Sequence, residues 1–354
     1  MPDPRESERK GAPPRVTLGH GAGGRLTSEL VRELFLARFR NPHLEPLGDS
    51  AVVAEPGGGA LVLTTDGYVV TPLFFPGGDI GRLAVCGTVN DLAVAGARPL
   101  YLTASFIIEE GLPLAELERV VDSMARTARE AAVEVVAGDT KVVESGSCDK
   151  LFIVTAGVGC LRAGADLGPD RVRPGDRLVI NGPVGLHGVA VLSQREGLSF
   201  QTTVRSDCGL VSGPAALLVE RLGPAVRWMR DPTRGGLATV VCDLAEDAGV
   251  PVIIDEESVP VPPEVEAACE LLGLDPLYLA NEGKLVAVVE AGAASEAVRL
   301  LREAGCPEAA EIGRVSPSGP AGPGPTRPRG YLRTRYGGTR LLERLDGDQL
   351  PRIC

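Results

Sequence analysis

The sequence lacks long apolar runs, a secretion signal and an excess of basic residues. No apolar run approaches the roughly 18 residues that a membrane-spanning helix requires. Residues 1–14 are polar and proline-rich, unlike a signal peptide. The net charge of −11 argues against general nucleic-acid binding. We therefore expect a globular, cytoplasmic protein that binds neither membrane nor nucleic acid.

Aromatic residues and paired cysteines are also scarce. Aromatic residues make up only 4% of the chain, so the hydrophobic cores must be built mainly from Val, Leu, Ala and Ile. None of the eight cysteines has C-x-x-C spacing, which argues against a zinc or iron–sulfur site. Several, such as Cys86 and Cys242, lie in apolar runs and are expected to be small buried side chains with free thiols.

Apolar periodicity predicts two α/β domains of similar size. Alternating helix-like and strand-like segments occupy residues 15–165 and again residues 170–315. With 354 residues, the chain is long enough for two full hydrophobic cores. We expect three further segments, namely a disordered N-terminus at 1–14, a Pro/Gly linker at 316–330 and a mobile arm at 331–354 that ends in Cys354.

The arm has an unusual charge and an unusual last residue. Residues 326–354 contain seven arginines and three acidic residues, so they carry about +4 and the rest of the chain about −15. Such an arm should be attracted to its own body or to another copy of it. Cys354 is either a functional thiol on a movable segment or a chance cysteine at a frayed terminus, and the arm alone does not decide.

A glycine-rich loop precedes the first predicted helix. Residues 19–24 read Gly-His-Gly-Ala-Gly-Gly, and such glycines let backbone N–H groups approach a phosphate at a helix N-terminus. The loop matches neither the P-loop nor the dinucleotide-binding fingerprint. A mobile glycine loop is the alternative interpretation.

Carboxylates recur at the edges of apolar segments. Asp49, Asp66 and Asp231 lie at such edges, and Asp91 interrupts an almost wholly apolar helix. A charge in that helix is costly unless it is paired or metal-bound. Several carboxylates brought together would suit Mg²⁺, which prefers oxygen ligands and often bridges substrate phosphates. Helix caps and turn aspartates are the alternative, which suits Asp49 better than Asp91.

Two more polar residues could move protons or contact phosphate. Lys141 follows a predicted strand in the stretch Ala-Gly-Asp-Thr-Lys and is either such a group or an ordinary surface lysine. Glu282 precedes a predicted strand in Asn-Glu-Gly-Lys and is either a general base or a turn residue.

These motifs together resemble the HypE family of hydrogenase maturation proteins, within the PurM-like superfamily of ATP-dependent enzymes. The terminal Pro-Arg-Ile-Cys discriminates, because other members of the superfamily share the carboxylate motifs and lack it. The resemblance is carried by GHGAGG at 19–24, GDSA at 48–51, TTDGYVVTP at 64–72, LAVCGTVNDLAVAGARP at 83–99, VVAGDTKVV at 135–143, RDPTRGGLATV at 230–240, NEGK at 281–284 and YGGTRLLERLDGDQLPRIC at 336–354.

The resemblance implies a fold, a reaction and partners. The fold is a two-domain α/β (α+β) PurM-like arrangement, with an N-terminal domain that forms a β-barrel in a homodimer, a C-terminal α/β sandwich and a flexible arm. The reaction is the ATP-dependent dehydration of an S-carbamoyl group on the C-terminal cysteine to a thiocyanate, which supplies cyanide to the iron of a [NiFe]-hydrogenase. A separate carbamoyltransferase would load the cysteine, and a scaffold complex of two maturation proteins would accept the cyano group.

The resemblance also implies roles for individual residues. Cys354 would be the covalent carrier, Glu282 the base that takes the nitrogen proton and Lys141 the group that stabilises developing oxygen charge, although the last two roles could be exchanged. Mg²⁺ would be held by Asp49, Asp66, Asp91 and Asp231. ATP would be contacted by His20, Gly21, Gly23, Gly24, Asp66, Asn90, Asp139 and Thr140.

Two rival interpretations stay open on the sequence. One is another ATP-dependent enzyme of the superfamily, such as a synthetase or small-molecule kinase that needs no terminal thiol. The other is a non-catalytic protein whose basic arm docks on an assembly. ATP turnover would separate the second from the rest.

Overall fold

Two mixed sheets with their helices make up the molecule, one for each predicted α/β half. The computed structural model describes residues 24–54, 59–195, 203–319, 328–345, 350 and 352–354. Among these residues the first sheet has five strands and the second has seven, and a short two-stranded ribbon lies within residues 74–79. No helix in the described part of the chain is long and apolar enough to cross a membrane.

The first half begins with a helix that contains a π-helical turn and then alternates strands and helices. Its helices are α1 (Arg25–Leu30, continued by Val31–Leu36 and Ala37–Phe39), α2 (Ile80–Val94) and α3 (Leu114–Glu130). Its strands are β1 (Ala51–Ala54), β2 (Ala60–Tyr68), β3 (Phe74–Phe75), β4 (Gly78–Asp79), β5 (Ala97–Glu109), β6 (Glu134–Val143) and β7 (Leu151–Leu161).

The first sheet has the order β1-β2-β7-β5-β6, with β6 parallel to β5 and the other pairs antiparallel. Helix α2 packs beneath it, and thirteen of its fifteen residues are buried, as its apolar sequence predicts. Asp79 caps this helix by accepting hydrogen bonds from the N–H groups of Gly81 and Arg82. The other face of the sheet is not covered by a helix of the described chain and exposes several apolar side chains.

The second half repeats the alternation of strands and helices. Its strands are β8 (Arg177–Ile180), β9 (Val226–Arg230), β10 (Val252–Asp255), β11 (Val286–Val289), β12 (Ala310–Val315), β13 (Gly330–Arg333) and β14 (Thr339–Leu341). Its helices are α4 (Leu186–Leu192), α5 (Ser212–Leu222), α6 (Gly236–Asp247), α7 (Pro263–Leu272) and α8 (Ala294–Glu303). The sheet order is β14-β13-β10-β12-β8-β11-β9.

The beginning of the expected mobile arm is part of this second sheet. We expected residues 331–354 to move as one arm, but β13 pairs in parallel with β10 and β14 pairs with β13. Leu332 and Leu342 are buried in the core of the second half. Hydrogen bonding and burial therefore anchor this segment, and a movable arm would have to begin after Leu345. The expected linker residues 320–327 lie outside the described residues.

Helix α1 lies against the second half, although we assigned it to the first. The N–H of Arg25 donates to the carbonyl of Leu345 at 3.1 Å, and Arg32 is 3.8 Å from Asp247 in α6. The two halves also share apolar packing, because Ala93 and Val94 of α2 belong to the same core cluster as residues of α5. The interface between the halves is where the candidate site forms.

Candidate active site

Four aspartates from separate elements face one region between the two halves. Asp49 precedes β1, Asp66 lies in β2, Asp91 lies in the last turn of α2, and Asp231 follows β9. The pKa of Asp91 is raised well above its ordinary value, first by loss of hydration and then by the charges of Asp231, Asp49 and Asp66. Burial and the charge of Asp49 raise the pKa of Asp231 to about 8. The four carboxylates are therefore close enough to influence one another's pKa.

Local contacts hold Asp49 and Asp91 in place. Thr64 donates its hydroxyl to Asp91 Oδ2 at 2.7 Å and also lies 2.9 Å from the Asp49 carbonyl. Asp49 forms an ion pair with Arg230 Nε at 2.9 Å, and Arg230 also contacts Asp243 of α6 at 3.3 Å. The positions of Asp49 and Asp91 are thus fixed by a hydroxyl of β2 and by the guanidinium at the end of β9.

The chemistry of this cluster fits a hard divalent cation. Arg230 compensates Asp49 in part, but no basic group is among the leading influences on the pKa of Asp91. Carboxylate oxygens of this type are the ligands that Mg²⁺ prefers. In the described part of the chain, no group of three or more His, Cys, Asp or Glu side chains is itself arranged to hold a metal ion. A magnesium ion here would need ligands from substrate phosphates or water as well, and the metal assignment stays a prediction.

A cleft of about 270 Å³ opens beside the carboxylates and under helix α1. Arg230, Arg234 and Arg344 line it together with Asp49 and Asp231. Guanidinium groups bind phosphate oxygens, and carboxylates bind the accompanying cation. The lining of the cleft therefore offers both kinds of group, although Arg230 and Arg344 also pair with Asp243.

Glu282 lies on the second-half side of the same region. Its side chain is only 2% exposed, and its Oε1 has no hydrogen-bond partner. Burial, followed by the charges of Asp231 and Asp207, raises the pKa of this carboxyl well above its ordinary value. A buried carboxyl with an unpartnered oxygen and a raised pKa is suited to take up a proton from a bound group.

Asn281 aligns the Glu282 loop with the Asp231 loop. Its side chain is fully buried, donates to the carbonyls of Pro232 and Leu279 at 2.9 Å each, and accepts from the N–H of Gly185 at 2.8 Å. Gly236 allows the neighbouring chain to approach closely, because a Cβ there would lie 2.5 Å from the carbonyl of Leu277. The relative position of Asp231 and Glu282 is therefore set by backbone contacts.

The C-terminal cysteine is docked into this site. A main-chain carboxylate oxygen of Cys354 accepts a hydrogen bond from the N–H of Val69 at 3.2 Å, and Cys354 is 9% exposed. Arg234 Nη2 donates to the sulfur at 3.4 Å. Burial raises the thiol pKa to about 12, against the lowering effect of Arg234. Docked Cys354 is thus a protonated thiol held near Glu282 and Asp66, whose charges also raise its pKa.

The residues before Cys354 hold it in place. Leu350 and Ile353 are buried in a hydrophobic cluster formed by residues of both halves. The carbonyl of Arg352 accepts hydrogen bonds from the N–H of Thr71 and the guanidinium of Arg195. The Arg352 side chain forms an ion pair with Asp149 at 2.5 Å. The expected attraction between a basic arm and an acidic body is seen in this pair and in the pairs of Arg333, Arg335, Arg340 and Arg344 with carboxylates of the second half.

Lys141, Asp139 and Thr140 lie apart from this cluster within one chain. They are inside β6, whereas we placed them after a strand, and β6 is exposed along nearly its whole length. Lys141 forms an ion pair with Asp139 at 2.5 Å, and its side chain is 66% exposed. Lys141 is not among the leading influences on the pKa of Glu282 or Cys354.

The predicted nucleotide contacts have different placements. His20, Gly21 and Gly23 lie outside the described residues. Gly24 precedes α1 and is packed so tightly that a Cβ would lie 1.8 Å from the carbonyl of Leu345. Asn90 is 1% exposed, and its side-chain amide already bonds backbone groups of Gly209 and Val211 in the second half. A nucleotide role for Asn90 would thus be added to a structural one.

Several residues that contact the docked C-terminus were not predicted from the sequence, among them Arg234 and His187. Arg234 stands in the quoted stretch RDPTRGG, so the signal was present, but only Asp231 was selected from it. His187 is fully buried in α4, and its Nε2 lies 2.7 Å from the carbonyl of Ile353. A single histidine in the apolar helix sequence Leu-His-Gly-Val-Ala-Val-Leu carries no specific signal of this contact.

Comparison with known proteins identifies the family. Residues 47–161 match the family model "AIR synthase related protein, N-terminal domain", and residues 173–322 match the corresponding C-terminal domain. The chain is 51% identical to the "Carbamoyl dehydratase HypE" of Cupriavidus necator, over 96% of this chain and 95% of that protein. The chain belongs to the HypE family.

Solved structures of the HypE family agree with the fold. The hydrogenase maturation protein HypE crystallised in complex with ATP is 47% identical, with a TM-score of 0.79 over 96% of this chain and all of that chain. The HypE–HypF complex contains a chain 45% identical, with a TM-score of 0.82 over 89% of this chain and 99% of that one. The expected two-domain PurM-like fold is confirmed, and the protein is an enzyme of a family of hydrogenase maturation proteins named carbamoyl dehydratases.

Proposed function

We propose that this HypE-family enzyme uses ATP to dehydrate an S-carbamoyl group on its own Cys354 to a thiocyanate. The observation that carries the proposal is the docking of the Cys354 thiol beside Arg234 and Glu282, at the edge of the aspartate cluster. A terminal residue held by backbone hydrogen bonds in a buried polar site is unlike a frayed end. The thiocyanate would supply the cyanide ligand for the iron of a [NiFe]-hydrogenase.

The reaction balances in two steps. First, the carbamoyl oxygen attacks the γ-phosphoryl group of ATP, one nitrogen proton leaves, and ADP and an O-phosphorylated imidate on sulfur are formed. Second, the C–O bond breaks, phosphate departs with the electron pair, and loss of the remaining nitrogen proton leaves S–C≡N. The steps require positioning, charge neutralisation and a base more than covalent help from the protein.

Glu282 is the proposed base for the nitrogen protons. Its carboxylate must be ionised to act, and in the ligand-free protein burial raises its pKa. Arg234 lies close enough to lower the pKa of Glu282 and donates to the sulfur of Cys354. The guanidinium is therefore placed to orient the carbamoyl group while Glu282 receives a proton.

The aspartate cluster and the glycine loop are the proposed ATP and metal site. Mg²⁺ held by Asp49, Asp66, Asp91 and Asp231 would neutralise the charge of the transferring phosphate. The arginines of the neighbouring cleft would contact phosphate oxygens. ATP would be further contacted by residues of the 19–24 loop, namely His20, Gly21, Gly23 and Gly24, and by Asn90, Asp139 and Thr140.

Homodimerisation is proposed from the outer face of the first sheet. Leu63, Tyr101 and Val154 are 38% to 46% exposed on the face of this sheet away from α2. The edge strand β6 adds the exposed Val135, Val136 and Val142. An exposed apolar sheet face beside an exposed apolar edge strand is typical of an interaction surface. A second copy there would cover Lys141, whose proposed role in stabilising oxygen charge is not completed within one chain.

Two other proteins are proposed as partners. The buried position of docked Cys354 requires the C-terminus to leave the site before a carbamoyltransferase can load it. The relative solved in a HypE–HypF complex supports a HypF-type protein as that transferase. A scaffold complex of maturation proteins would then receive the cyano group.

Mass spectrometry of the C-terminal peptide tests the function. After incubation with the carbamoyltransferase and its carbamoyl donor, Cys354 should carry a carbamoyl group, and addition of MgATP should remove one water from it. A Cys354→Ser variant should show neither change at this residue. Loading without ATP-dependent loss of water in the wild type would contradict the proposal, and absence of ATP turnover would favour a non-catalytic docking protein.

A further inference from the structure

One loop of the second half contacts Glu282 directly and is linked to the docked C-terminus through His187. It comprises residues 206–211, immediately before α5, and we call it the bridging loop. The N–H of Ser206 donates to the carbonyl of Pro76 at 2.7 Å, so the loop is also fixed against the first half.

On the side of the C-terminus, a directed chain of hydrogen bonds runs through His187. The Cys208 N–H donates to Ser206 Oγ at 3.0 Å, and Ser206 Oγ lies 2.8 Å from His187 Nδ1. His187 Nε2 lies 2.7 Å from the Ile353 carbonyl, which can only accept, so Nε2 carries the hydrogen. Burial lowers the pKa of His187, in keeping with a neutral ring whose Nδ1 accepts from Ser206.

On the side of Glu282, the same loop holds the backbone. Asp207 Oδ1 accepts the N–H of Glu282 at 3.2 Å, and the N–H of Gly209 donates to the Glu282 carbonyl at 3.2 Å. Asp207 is balanced by an ion pair with Lys284 at 2.9 Å, in which the two side chains are 2% and 9% exposed. Both backbone polar groups of the candidate base are therefore bound by the loop.

The packing between the loop and Glu282 leaves no free space. A Cβ on Gly283 would lie 2.0 Å from the carbonyl of Asp207. Asn90 of α2 also clamps the loop, donating to the carbonyl of Gly209 at 2.9 Å and accepting from the N–H of Val211 at 2.8 Å. A displacement at Ser206 would therefore move the Glu282 backbone as well, since close-packed segments shift together.

We propose that the bridging loop keeps the docked C-terminus and Glu282 in register, with His187, Ser206 and Asp207 as positioning residues for the dehydration. His187 and Ser206 fix how far Ile353, and with it Cys354, is inserted into the site. Asp207 and Gly209 fix the position of the Glu282 backbone. The inference rests on the proposed function for its catalytic consequence, whereas its effect on docking does not depend on any reaction.

Two disruptive variants and one conservative variant test whether His187 and Ser206 hold the C-terminus in its docked position. Ser206→Ala removes the partner of His187 Nδ1, and His187→Leu removes both polar atoms of the ring. Alkylation of Cys354, measured by mass spectrometry relative to half-buried Cys160, should become about tenfold faster in each, because an unmet buried hydrogen bond destabilises docking to this extent. His187→Gln retains a donor and an acceptor and should recover most of the protection.

The catalytic part is measured on carbamoylated protein in single turnovers with MgATP. The maximal rate should fall by about tenfold in Ser206→Ala and His187→Leu. The ATP concentration for half-maximal rate should not change, because neither residue contacts the aspartate cluster. Ser193→Ala is the matched control, since this hydroxyl at the end of the same helix α4 donates to the Ala190 carbonyl at 2.7 Å and should affect neither quantity.

Each outcome decides the inference. Wild-type protection of Cys354 in both variants would overturn it, even if their melting temperatures fell, because the residues would then be structural only. Faster alkylation with an unchanged maximal rate would also overturn it, since the loop would latch the C-terminus without aligning it to Glu282. If wild-type protein never dehydrates Cys354, the proposed function fails, whereas the alkylation result still decides whether the loop positions the C-terminus.

Discussion

Glu282 and Lys141, which the family resemblance pairs in one reaction, lie in opposite environments. Glu282 is 2% exposed and is held through its backbone by the bridging loop. Lys141 has a side chain 66% exposed on the outer strand of the first sheet, where it pairs with Asp139. One chain therefore completes the environment of the candidate base and leaves that of the lysine open.

The difference shows how much of an active site one fold can supply. The backbone of buried Glu282 is bound by the bridging loop of the second half and by Asn90 of helix α2. Lys141 would have to be covered by the surface of another protein chain before it could act in a water-excluded site. The exposed valines of β6 are suited to bind such a surface. The predictions below test whether the buried and the exposed residue serve the same reaction.

The largest effect is expected at the buried residue. Glu282→Gln should lower the rate of dehydration of loaded Cys354 by about 10³-fold, since it removes the proposed base while keeping the size of the side chain. Rapid-quench mass spectrometry of the C-terminal peptide measures this rate. Loading by the carbamoyltransferase should be unaffected and serves as the control; a wild-type rate would remove Glu282 from the chemistry.

A smaller loss, about 10²-fold, is expected for Lys141→Ala, because it removes one charge that stabilises developing oxygen charge. Mixing experiments then distinguish action within a chain from action across a dimer. If Lys141 serves the other copy, a mixture of the Glu282→Gln and Lys141→Ala variants should regain about a quarter of wild-type activity through mixed dimers. No recovery in demonstrably mixed dimers would place Lys141 and Glu282 in the same chain's site, or Lys141 in none.

Alkaline pH should release the docked C-terminus. The thiol pKa is about 12 when Cys354 is docked and 9.0 for an ordinary thiol, so the docked state binds the proton more strongly. Docking is therefore fully favoured below about pH 9 and weakens by up to about tenfold per pH unit between there and pH 12. Alkylation of Cys354 should rise more steeply with pH than alkylation of Cys160 over this range. Parallel profiles for the two thiols would show that Cys354 is not docked in solution.

The smallest effect is expected at the exposed pair between Arg352 and Asp149. Asp149→Asn removes an ion pair whose side chains are 52% and 36% exposed, and such pairs contribute little. Alkylation of Cys354 should increase by no more than about twofold. A tenfold increase would mean that this pair, rather than the buried His187 contact, holds the C-terminus.

Much of the fold was predictable because its signals are local. The apolar run of α2, the amphipathic pattern of α3 and the alternation along β7 are patterns of this kind, and each lies within the alternation of helices and strands that predicted the first α/β half. The role of 330–341 was not predictable in this way. A short strand that adds to the edge of an existing sheet has no periodic signal of its own, and the Pro/Gly run before it suggested a free arm.

Part of the site was predictable for a different reason. Asp91 and Glu282 stood out because a charge in an apolar segment is costly unless it has a function or a partner. Arg234 and His187 did not stand out, because their importance comes from what they contact. His187 and Ile353 are 166 positions apart in the chain, and no local pattern connects them.

The amino-acid sequence by itself determined the order of the elements, the two α/β halves, the family and the candidate set of metal-binding carboxylates. These depend on spacing, on turn residues and on the cost of charge in apolar segments, which can be read along the chain. Only the tertiary structure decided that the terminal thiol lies beside Arg234 and that Lys141 faces outward. It also decided that one loop contacts Glu282 directly and is linked to Ile353 through His187. Those facts depend on contacts between distant segments, whose geometry is set by packing of the two halves rather than by any local preference.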